Sequence, residues 1–333
     1  MAIIFSKNSG LNDDLWKVEA QVLSAVMKDT DSEKNNYDQV VSDLFIEKKS
    51  KKYAEKTSSL TSLGNFQPVD EGKKAPLDDI QQGFSKLIEH TPSMKGFVCT
   101  REMKDDVDID VMKTAAQNMV RSYKRTRAQF ASDALTSETT TFTYGRKTLD
   151  RTTGDGKALF ATDHPGVKSG VPVQSNVFTN KFGNDTVMLN RLANIGRNFR
   201  NDSGNVQGYT FDTIIIPSNV PRLEDLIKRI IRSDLIVGSN NNDVNTQKGL
   251  WNLIVDPMWQ VTDDAEPYIL MSKQANKELM GSVFYDRVPL DVVNWVDNDS
   301  RNLCWNGYCR FSAGFRNWRH LILGGAASGT TLS

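Results

Sequence analysis

One short segment carries the residue types of a catalytic site: Asp163-His164-Pro165, in a turn-rich stretch between Gly154 and Gly170. A histidine beside a carboxylate can act as a general base in a hydrolase. The chain has only three histidines, so a histidine-based triad would need His164 or a partner far away in sequence. In the alternative, favoured interpretation, the aspartate caps a turn and the proline fixes its backbone.

Other motifs with recognisable chemistry are missing from the sequence. It contains no Gly-x-x-x-x-Gly-Lys-Ser/Thr loop, no His-Glu-x-x-His and no Gly-x-Ser-x-Gly. Paired carboxylates such as Asp105/Asp106 fall at predicted caps or loops without acidic partners at metal-site spacing. The three cysteines predict no disulfide framework, and Cys304 and Cys309 read as small apolar residues of strands rather than zinc ligands. We therefore expect no enzyme activity, no catalytic residue, no cofactor and no metal.

A basic group is the remaining candidate for ligand binding: Arg121, Lys124, Arg125 and Arg127. These side chains either face phosphate or form a solvated face with pairing at i,i+4, and the second interpretation is favoured. They belong to the segment from Phe97 to Tyr144, which contains neither Gly nor Pro.

A long helix from Val107 to Leu135 is predicted to position this basic group. Apolar residues recur there at the spacing of one helical face, and acidic residues precede the basic ones, as the helix dipole favours. Such a helix would be roughly 40 Å long at 1.5 Å per residue. Because it needs a large surface to lie on, it indicates a scaffold.

The N-terminal region reads as an arm without a core of its own. A first helix is predicted with Leu15, Val18, Val22, Ala25 and Val26 on one face, after Asn12 and Asp13 as caps. A second helix is predicted from Tyr37 to Phe45. The lysine-rich run Glu47 to Lys56 then predicts a solvated helix face or, alternatively, contact with a polyanion or an acidic neighbour.

Between Gly64 and Gly96 glycine and proline punctuate a polar stretch. Its ends look like strands, at Leu60 to Phe66 and at Lys95 to Arg101, so a long two-stranded excursion is predicted. Within it, Phe84 belongs to one short amphipathic piece.

The remainder of the chain predicts a mixed α/β region. Two helices are expected, at Thr186–Phe199 and Pro221–Arg232. Strands are expected at Thr139–Arg146, Thr213–Pro217, Gly249–Val255, Tyr268–Ser272, Val283–Arg287 and Leu303–Arg310. Asn306-Gly307 predicts a hairpin turn. Five of the six tryptophans lie in the C-terminal third, so the best core is expected there.

The overall composition limits the kinds of partner that the chain can bind. Over 333 residues, 41 basic residues balance 41 acidic ones, which argues against a dedicated nucleic-acid-binding domain. No stretch approaches the roughly 20 apolar residues of a membrane span, and the apolar run at the N-terminus is too short for a signal-peptide core. We expect a soluble protein that stays inside the cell that makes it.

The order of these elements resembles the major capsid proteins of tailed bacteriophages. Similar segments occur in Mu-like head subunits: Gly156-Lys-Ala-Leu-Phe-Ala-Thr-Asp-His-Pro165, Thr213-Ile-Ile-Ile-Pro217 and Phe311-Ser-Ala-Gly-Phe-Arg-Asn-Trp-Arg319. The resemblance implies an α+β chain with the capsid fold named after phage HK97. That fold comprises an N-terminal arm (1–59), an E-loop (60–103), a P-domain (104–185) with a spine helix (107–135), an A-domain (186–286) and a P-domain return with a C-terminal tail (287–333).

The resemblance also implies a function and partners. Copies would self-assemble into pentamers and hexamers of an icosahedral shell around double-stranded DNA, bound without specificity. The protein would reside in the virion after assembly in the bacterial cytoplasm. Only about 60 residues precede the E-loop, so either a separate scaffolding protein assists or the chain is processed; a portal is a further expected partner.

Several residues acquire expected roles from the resemblance. Arg121, Lys124, Arg125 and Arg127 would face the lumen and its DNA. Lys73, Lys74 and Phe84 would make E-loop contacts between subunits. Two rival interpretations assign other functions to the chain. In the first it forms an encapsulin-like shell that holds enzymes, and in the second it is a hydrolase that uses Asp163 and His164.

Overall fold

The computed structural model describes residues 4–5, 16–78, 80–106, 109–183, 187–236, 243–262 and 266–332. In chain order its elements are β1 (Ile4–Phe5), α1 (Lys17–Ser32), α2 (Asn36–Leu44), β2 (Ile46–Lys49), β3 (Ala54–Leu60), β4 (Gln82–Glu89), β5 (Thr91–Cys99), α3 (Arg101–Asp106), α4 (Ile109–Thr136), β6 (Thr141–Tyr144), β7 (Lys147–Asp150), α5 (Val187–Arg197), β8 (Thr213–Pro217), α6 (Pro221–Arg232), β9 (Asn252–Asp256), β10 (Tyr268–Met271), α7 (Lys273–Leu279), β11 (Ser282–Val296), β12 (Leu303–Phe315) and β13 (Leu321–Gly324). Helices and strands make up 29% and 30% of the described residues, which confirms the predicted α+β class.

The chain divides into two units. The first unit comprises Met1–Glu55, Ile88–Ala131 and Phe284–Ala313, and the second comprises Lys56–Leu87, Ser132–Val283 and Gly314–Ser333. Each unit therefore gathers segments that are distant in sequence, and each has its own sheet.

The first unit is built on a sheet with strand order β1-β11-β12-β5, in which β2 also pairs with β11. β12 and β5 run antiparallel, with Leu303 opposite Cys99 and Phe311 opposite Thr91. Phe130 of α4 packs edge-on against Phe284 and Phe311, with ring centroids 6.2 and 5.1 Å apart. Helix and sheet thus share one aromatic core.

The predicted long helix is confirmed as α4, which runs over Ile109–Thr136. Its 28 residues span about 42 Å. Val107 and Asp108, where the prediction began, lie outside the described residues. The buried side chains recur at helical spacing, as predicted: Met112, Ala116, Met119, Val120, Tyr123, Phe130, Ala131 and Leu135.

The face predicted for the first helix is wrong. Val18 is 66% exposed, and α1 instead buries Ala20, Leu23, Met27 and Thr30. The sequence carries two apolar stripes around this helix, and only one of them meets the rest of the unit. The predicted start of the helix, with Asn12, Asp13 and Leu15, lies outside the described residues.

The second helix is confirmed, but the lysine-rich run after it is not helical. α2 buries Val40, Val41 and Leu44 and is capped by Asn35, whose side chain accepts a hydrogen bond from the Asp38 backbone. Residues 46–49 form β2 instead, with half-buried and exposed side chains in alternation. Pairing of β2 with β11 explains the strand, because alternation places one face on the sheet.

In the second unit a four-stranded sheet has the order β13-β10-β8-β9. β8 is buried at every residue, as its apolar sequence predicts. α5 and α6 confirm the predicted helices, and α6 buries Leu223, Ile227, Ile230 and Ile231. The prediction missed β7, α7 and β13, all of which are short.

The two-stranded excursion is confirmed, but its strands lie elsewhere than predicted. β3 and β4 form a separate two-stranded sheet, and residues 61–66 lie beyond it. Residues 95–99 belong to β5 of the five-stranded sheet instead. The hairpin is fixed at its base by Lys86, whose ammonium pairs with Asp150 and Thr152.

The predicted hairpin turn at Asn306-Gly307 is also wrong. Both residues lie inside β12, opposite Gly96 and Lys95 of β5. Gly307 serves close packing instead, since a Cβ there would lie 2.3 Å from Cε of Met119 and 2.9 Å from Cδ1 of Leu290. The glycine lets α4 approach the sheet.

Arg151 closes the C-terminal end of α4. Its side chain is buried, with Nη2 donating to the Leu135 carbonyl at 2.6 Å, Nη1 donating to Thr139 at 3.1 Å, and Nε donating to Ala134. The last carbonyls of a helix have no partner within it, and a cation there also complements the dipole. Arg151 therefore stabilises the end of the long helix.

Candidate functional site

His164 is a buried structural residue. Nδ1 lies 2.7 Å from Oδ2 of Asp155, and Nε2 lies 3.2 Å from Oδ1 of Asn176. The ring stacks on Trp318 with centroids 4.2 Å apart, and the side chain is 0% exposed. With both nitrogens engaged and no access for substrate, His164 is not placed to act as a general base.

Asp163 does not assist His164. Its carboxylate is exposed and pairs with Lys157. The carboxylate beside the histidine is that of Asp155, where burial acts to raise the pKa but hydrogen bonds from His164 and Thr153 outweigh it and lower the pKa. The Asp163/His164 arrangement of the hydrolase alternative is therefore not formed.

The other two histidines lie beside serines. Nδ1 of His90 is 2.9 Å from Oγ of Ser312, and Nε2 of His320 is 2.6 Å from Oγ of Ser282. Serine beside histidine has the composition of a nucleophile and its base. Both rings are buried, at 4% and 0% exposure, so a substrate cannot reach either pair.

Cys99 and Cys309 are unreactive in this setting. All three cysteines of the chain are free, and burial raises the pKa of Cys99 to about 11 and that of Cys309 to about 12. Such thiols stay protonated near neutral pH and are poor nucleophiles and metal ligands. Across the described residues no group of three or more His, Cys, Asp or Glu side chains is arranged to hold a metal ion.

The basic group on α4 divides into two pairs. Lys124 is buried, and its ammonium donates to the carbonyls of Asp31 and Glu33 at 2.9 and 2.6 Å and pairs with Asp38 at 2.9 Å. It therefore ties the segment between α1 and α2 to the long helix. The prediction that Lys124 faces DNA is wrong, because its charge is used inside the subunit.

Arg127 is likewise internal. Its Nη2 donates to Asp286 at 2.8 Å and to Glu47 at 2.9 Å, and its guanidinium lies 5.2 Å from the ring centroid of Phe284. Burial acts to lower the pKa of Arg127, but these carboxylates and Tyr123 outweigh it, and the pKa is raised. Burial raises the pKa of Asp286 to about 6 despite the arginine. Arg127 thus joins α4, β2 and β11 and does not face DNA.

Arg121 and Arg125 lie off the buried stripe of α4 and are exposed. Among the described residues neither forms an ion pair with a carboxylate. They border a groove of about 530 Å³ together with Lys95, Tyr37 and Phe97. The lining of this groove contains three cationic side chains and no carboxylate.

The loop between β3 and β4 is the second candidate surface. Its two sides are joined where the Gly64 backbone N–H donates to Oδ2 of Asp78, so residues 64–78 form a closed loop, called here the tip loop. Phe66 is 106% exposed and Leu77 is 94% exposed. Phe66 and Leu77 are therefore large apolar side chains that their own unit leaves uncovered.

The predicted loop residues lie on this excursion. Lys73 pairs with Asp70 at 2.6 Å, and both Lys73 and Lys74 are exposed. Phe84 is half-buried in β4, next to Gly154 of its own unit. Sequence reasoning missed Phe66 and Leu77; the available signal was a large apolar residue inside a loop rich in glycine and proline.

The comparison with protein families decides the identity. The sequence profile described as phage capsid protein matches residues 95–323. The chain belongs to this family. The match includes α4, most of both sheets and the groove residues apart from Tyr37, whereas the tip loop lies before it.

Solved structures share the fold of this capsid family member. One from Mycobacterium phage Patience is 12% identical, with a TM-score of 0.55, covering 99% of this chain and 94% of that one. The capsid of a native GTA particle is 9% identical, with a TM-score of 0.57 and 90% and 92% covered. The capsid of an empty GTA particle is 10% identical, with a TM-score of 0.53 and the same two coverages.

A search of curated proteins finds no match. Among the helices of the described residues, none combines the length and apolarity needed to cross a membrane.

Proposed function

We propose that this chain is the major capsid protein of a tailed bacteriophage and self-assembles into an icosahedral shell around double-stranded DNA. The observation that carries the proposal is the family match over residues 95–323, together with a fold shared along nearly the full length of phage and GTA capsid chains. This coverage matters because the matched length includes the N-terminal arm, the hairpin and the long helix.

The exposed hairpin supports assembly on physical grounds. A two-stranded sheet alone is marginally stable, and this one carries a tip loop with fully exposed Phe66 and Leu77. Burying one such side chain contributes about 1.5–3 kcal/mol. A neighbouring subunit that covers the tip loop would supply this free energy, so the hairpin serves as the E-loop, with Lys73, Lys74 and Phe84 beside the contact.

The finer organisation follows from the same proposal. The second unit, with residues 186–283 and their four-stranded sheet, contains the A-domain at the centres of pentamers and hexamers. The first unit, with most of α4 and the sheet of β5, β11 and β12, forms the P-domain, so residues 132–185 and the segment after Ala313 group with the A-domain instead of the P-domain expected from the sequence. A separate scaffolding protein and a portal complete the assembly, which takes place in the bacterial cytoplasm before the shell becomes part of the virion.

The contents and chemistry of the shell follow from charge and burial. A balance of 41 basic against 41 acidic residues suits a container that holds DNA without gripping it, because fixed phosphate contacts would hinder its release. The protein is a structural subunit rather than an enzyme, since its histidines and two of its cysteines are buried.

Sedimentation and electron microscopy of protein purified from infected cells test the function. We expect closed particles whose nuclease-protected content is phage DNA. Particles filled with protein cargo would support the encapsulin-like alternative instead. A chain that stays a 37.3 kDa monomer when scaffold and host extract are supplied would contradict the proposal.

A further inference from the structure

The strand β5 lies at the edge of its sheet and has one open side along nine residues. It pairs with β12 on one side, and among the described residues no strand pairs with its other side. Alternate backbone N–H and C=O groups on the open side therefore have no partner strand. Met94 and Val98 are 68% and 50% exposed, so this edge is also partly apolar.

The middle of this edge is not protected in the usual way. Sheet edges are commonly blocked by a proline or by a charged side chain that lies across them. Pro92 lies near the start of β5, and Nζ of Lys95 is directed to α4, where it lies 3.4 Å from Oγ of Ser122. Gly96 follows without a side chain. The edge from Gly96 to Val98 is therefore accessible to an added strand.

The groove beside α4 runs in the direction of the strands. Met119 of α4 lies against Gly307 of β12, and Phe130, further along α4, packs on Phe311, further along β12. Because both contacts advance together along the helix and the strand, α4 follows β12 and its neighbour β5. A peptide added to β5 would lie along the groove, with every second side chain turned toward α4.

The cations of the groove require an acidic occupant. Lys95, Arg121 and Arg125 line it, and no carboxylate is among the lining residues. By contrast, Lys124 and Arg127 of the same helix are neutralised by carboxylates within the unit. A ligand that lies along this groove must therefore supply the negative charge.

The apolar part of the groove favours a peptide over duplex DNA. Phe97 is half-buried and stacks on Trp305 with ring centroids 5.9 Å apart, which fixes its position beside Tyr37. The volume of about 530 Å³ suits a few side chains. Duplex DNA would meet the arginines through its phosphates but would use neither the aromatic rings nor the backbone groups of β5. An added peptide strand uses all three features.

The strands of this chain do not supply the acidic occupant. Among the described residues, seven other strands at sheet edges are neutral or positive: β2 has two lysines against one glutamate, β3, β4 and β7 each have one acidic and one basic residue, and β1, β6 and β13 have no charged residue. The edge strand β9 contains Asp256, but this side chain is 0% exposed and accepts a hydrogen bond from Ser132 at 2.6 Å. The occupant is therefore expected to be a strand of a different protein.

We propose that the open edge of β5 and the groove beside it bind an extended, acidic segment of a partner protein other than this chain. The segment adds a strand to β5, its carboxylates meet Arg121 and Arg125, and one apolar side chain enters the groove beside Phe97. The inference goes beyond the proposed function, because it gives the subunit a binding partner besides its own copies and packaged DNA.

A designed peptide tests this site on the dissociated, full-length subunit. The probe is Thr-Glu-Thr-Glu-Thr-Phe-Thr-Glu-Thr with a fluorescent label, in which the glutamates and the phenylalanine share one face of a strand. Fluorescence anisotropy measures its binding. We expect saturable binding that Arg121→Glu/Arg125→Glu weakens at least about tenfold, whereas Arg121→Lys/Arg125→Lys keeps the charges and weakens it less than about threefold.

Altered peptides test whether the probe binds as a strand. Exchanging the phenylalanine with the threonine before it keeps the composition but moves the ring to the other face, and should weaken binding about tenfold. N-methylation of alternate residues blocks the backbone donors along one side of the peptide. One alternate set should abolish binding and the other should be tolerated, because only one side of the added strand faces β5.

A matched receptor variant tests for a general effect of charge. Lys51→Glu/Lys52→Glu makes the same change of charge at two exposed positions of the first unit, away from the groove. It should leave the affinity for the probe within about twofold of the parent. Circular dichroism of every receptor confirms that it is folded.

Four outcomes overturn the inference. They are no binding of the probe to a folded receptor, binding that ignores the arginines, binding that neither set of N-methyl groups alters, and arginine-dependent binding of a 20-base-pair duplex in place of the peptide. Self-association of the chain that the probe displaces would identify a second copy as the occupant and would also overturn it. Each result can occur while the unaltered chain forms shells, which leaves the proposed function standing. Absence of shells alongside intact peptide binding would count against the proposed function alone.

Discussion

Phe66 gives the sharpest prediction, because it contributes nothing to its own subunit. Its side chain is 106% exposed at the end of the hairpin. Phe66→Ala should therefore leave the free energy of unfolding of the isolated subunit unchanged within about 0.5 kcal/mol, as for other exposed positions.

Assembly should respond quite differently. If a neighbouring subunit buries the ring, its removal costs each contact about 1.5–3 kcal/mol. At about 1.4 kcal/mol per factor of ten, each contact weakens about 10- to 150-fold. Every subunit donates one tip loop, so the threshold concentration for assembly should rise by a similar factor.

Light scattering over a concentration series measures the threshold, and urea unfolding of the dissociated subunit measures its stability. Phe130→Ala is the matched control, with the same chemical change in the core between Phe284 and Phe311, where the ring is 1% exposed. That variant should lose about 3–5 kcal/mol of subunit stability.

Phe66→Ala should change only the assembly threshold, whereas Phe130→Ala should lower the stability of the subunit. A Phe66→Ala chain that assembles at the parent threshold would refute the argument that a neighbour covers the tip loop. A Phe66→Ala subunit that unfolds at clearly lower urea would show that the ring packs within its own chain.

Three further predictions concern the stability of the subunit. Arg127→Met leaves the buried carboxylate of Asp286 without its cation and should cost about 3 kcal/mol in urea unfolding at pH 7; an unchanged midpoint would contradict this. Arg151→Met leaves the last carbonyls of α4 without donors and should cost about 3 kcal/mol, whereas equal or higher stability would argue against the cap. Burial lowers the pKa of His320 to about 3 from 6.5, so protonation of the unfolded chain below pH 6.5 destabilises the fold, by about 2 kcal/mol between pH 7 and 5. His320→Gln should remove that part of the pH dependence, and an unaltered slope would refute it.

Regular elements with uninterrupted patterns were predictable from sequence. α4, α6 and β8 each bury the residues that their own periodicity indicates. In these segments the local pattern and the tertiary environment agree, because one face or the whole element is apolar. The order of such elements also sufficed to indicate the capsid fold.

Features set by tertiary contact were not predictable. Asn306-Gly307 has the composition of a hairpin turn, yet Gly307 is required inside β12 because Met119 and Leu290 press against its backbone. α1 has two apolar stripes, and its sequence does not say which one the rest of the unit will bury. In both cases the deciding atoms come from distant parts of the chain.

For the basic group on α4, part of the candidate site could be predicted from the sequence. Lys124 and Arg127 continue the spacing of Val120 and Tyr123, which marks the buried stripe, whereas Arg121 lies off it. Helical periodicity therefore contained the division between internal and external cations. Their partners were not readable, because the carboxylates come from three other elements.

Cryo-electron microscopy of particles purified from infected cells tests the central claim most directly. We expect closed icosahedral shells with pentamers and hexamers, DNA inside, and density into which this fold can be placed with the tip loop of each copy covered by a neighbour. Shells built from another protein, or this chain found only as free subunits, would contradict it.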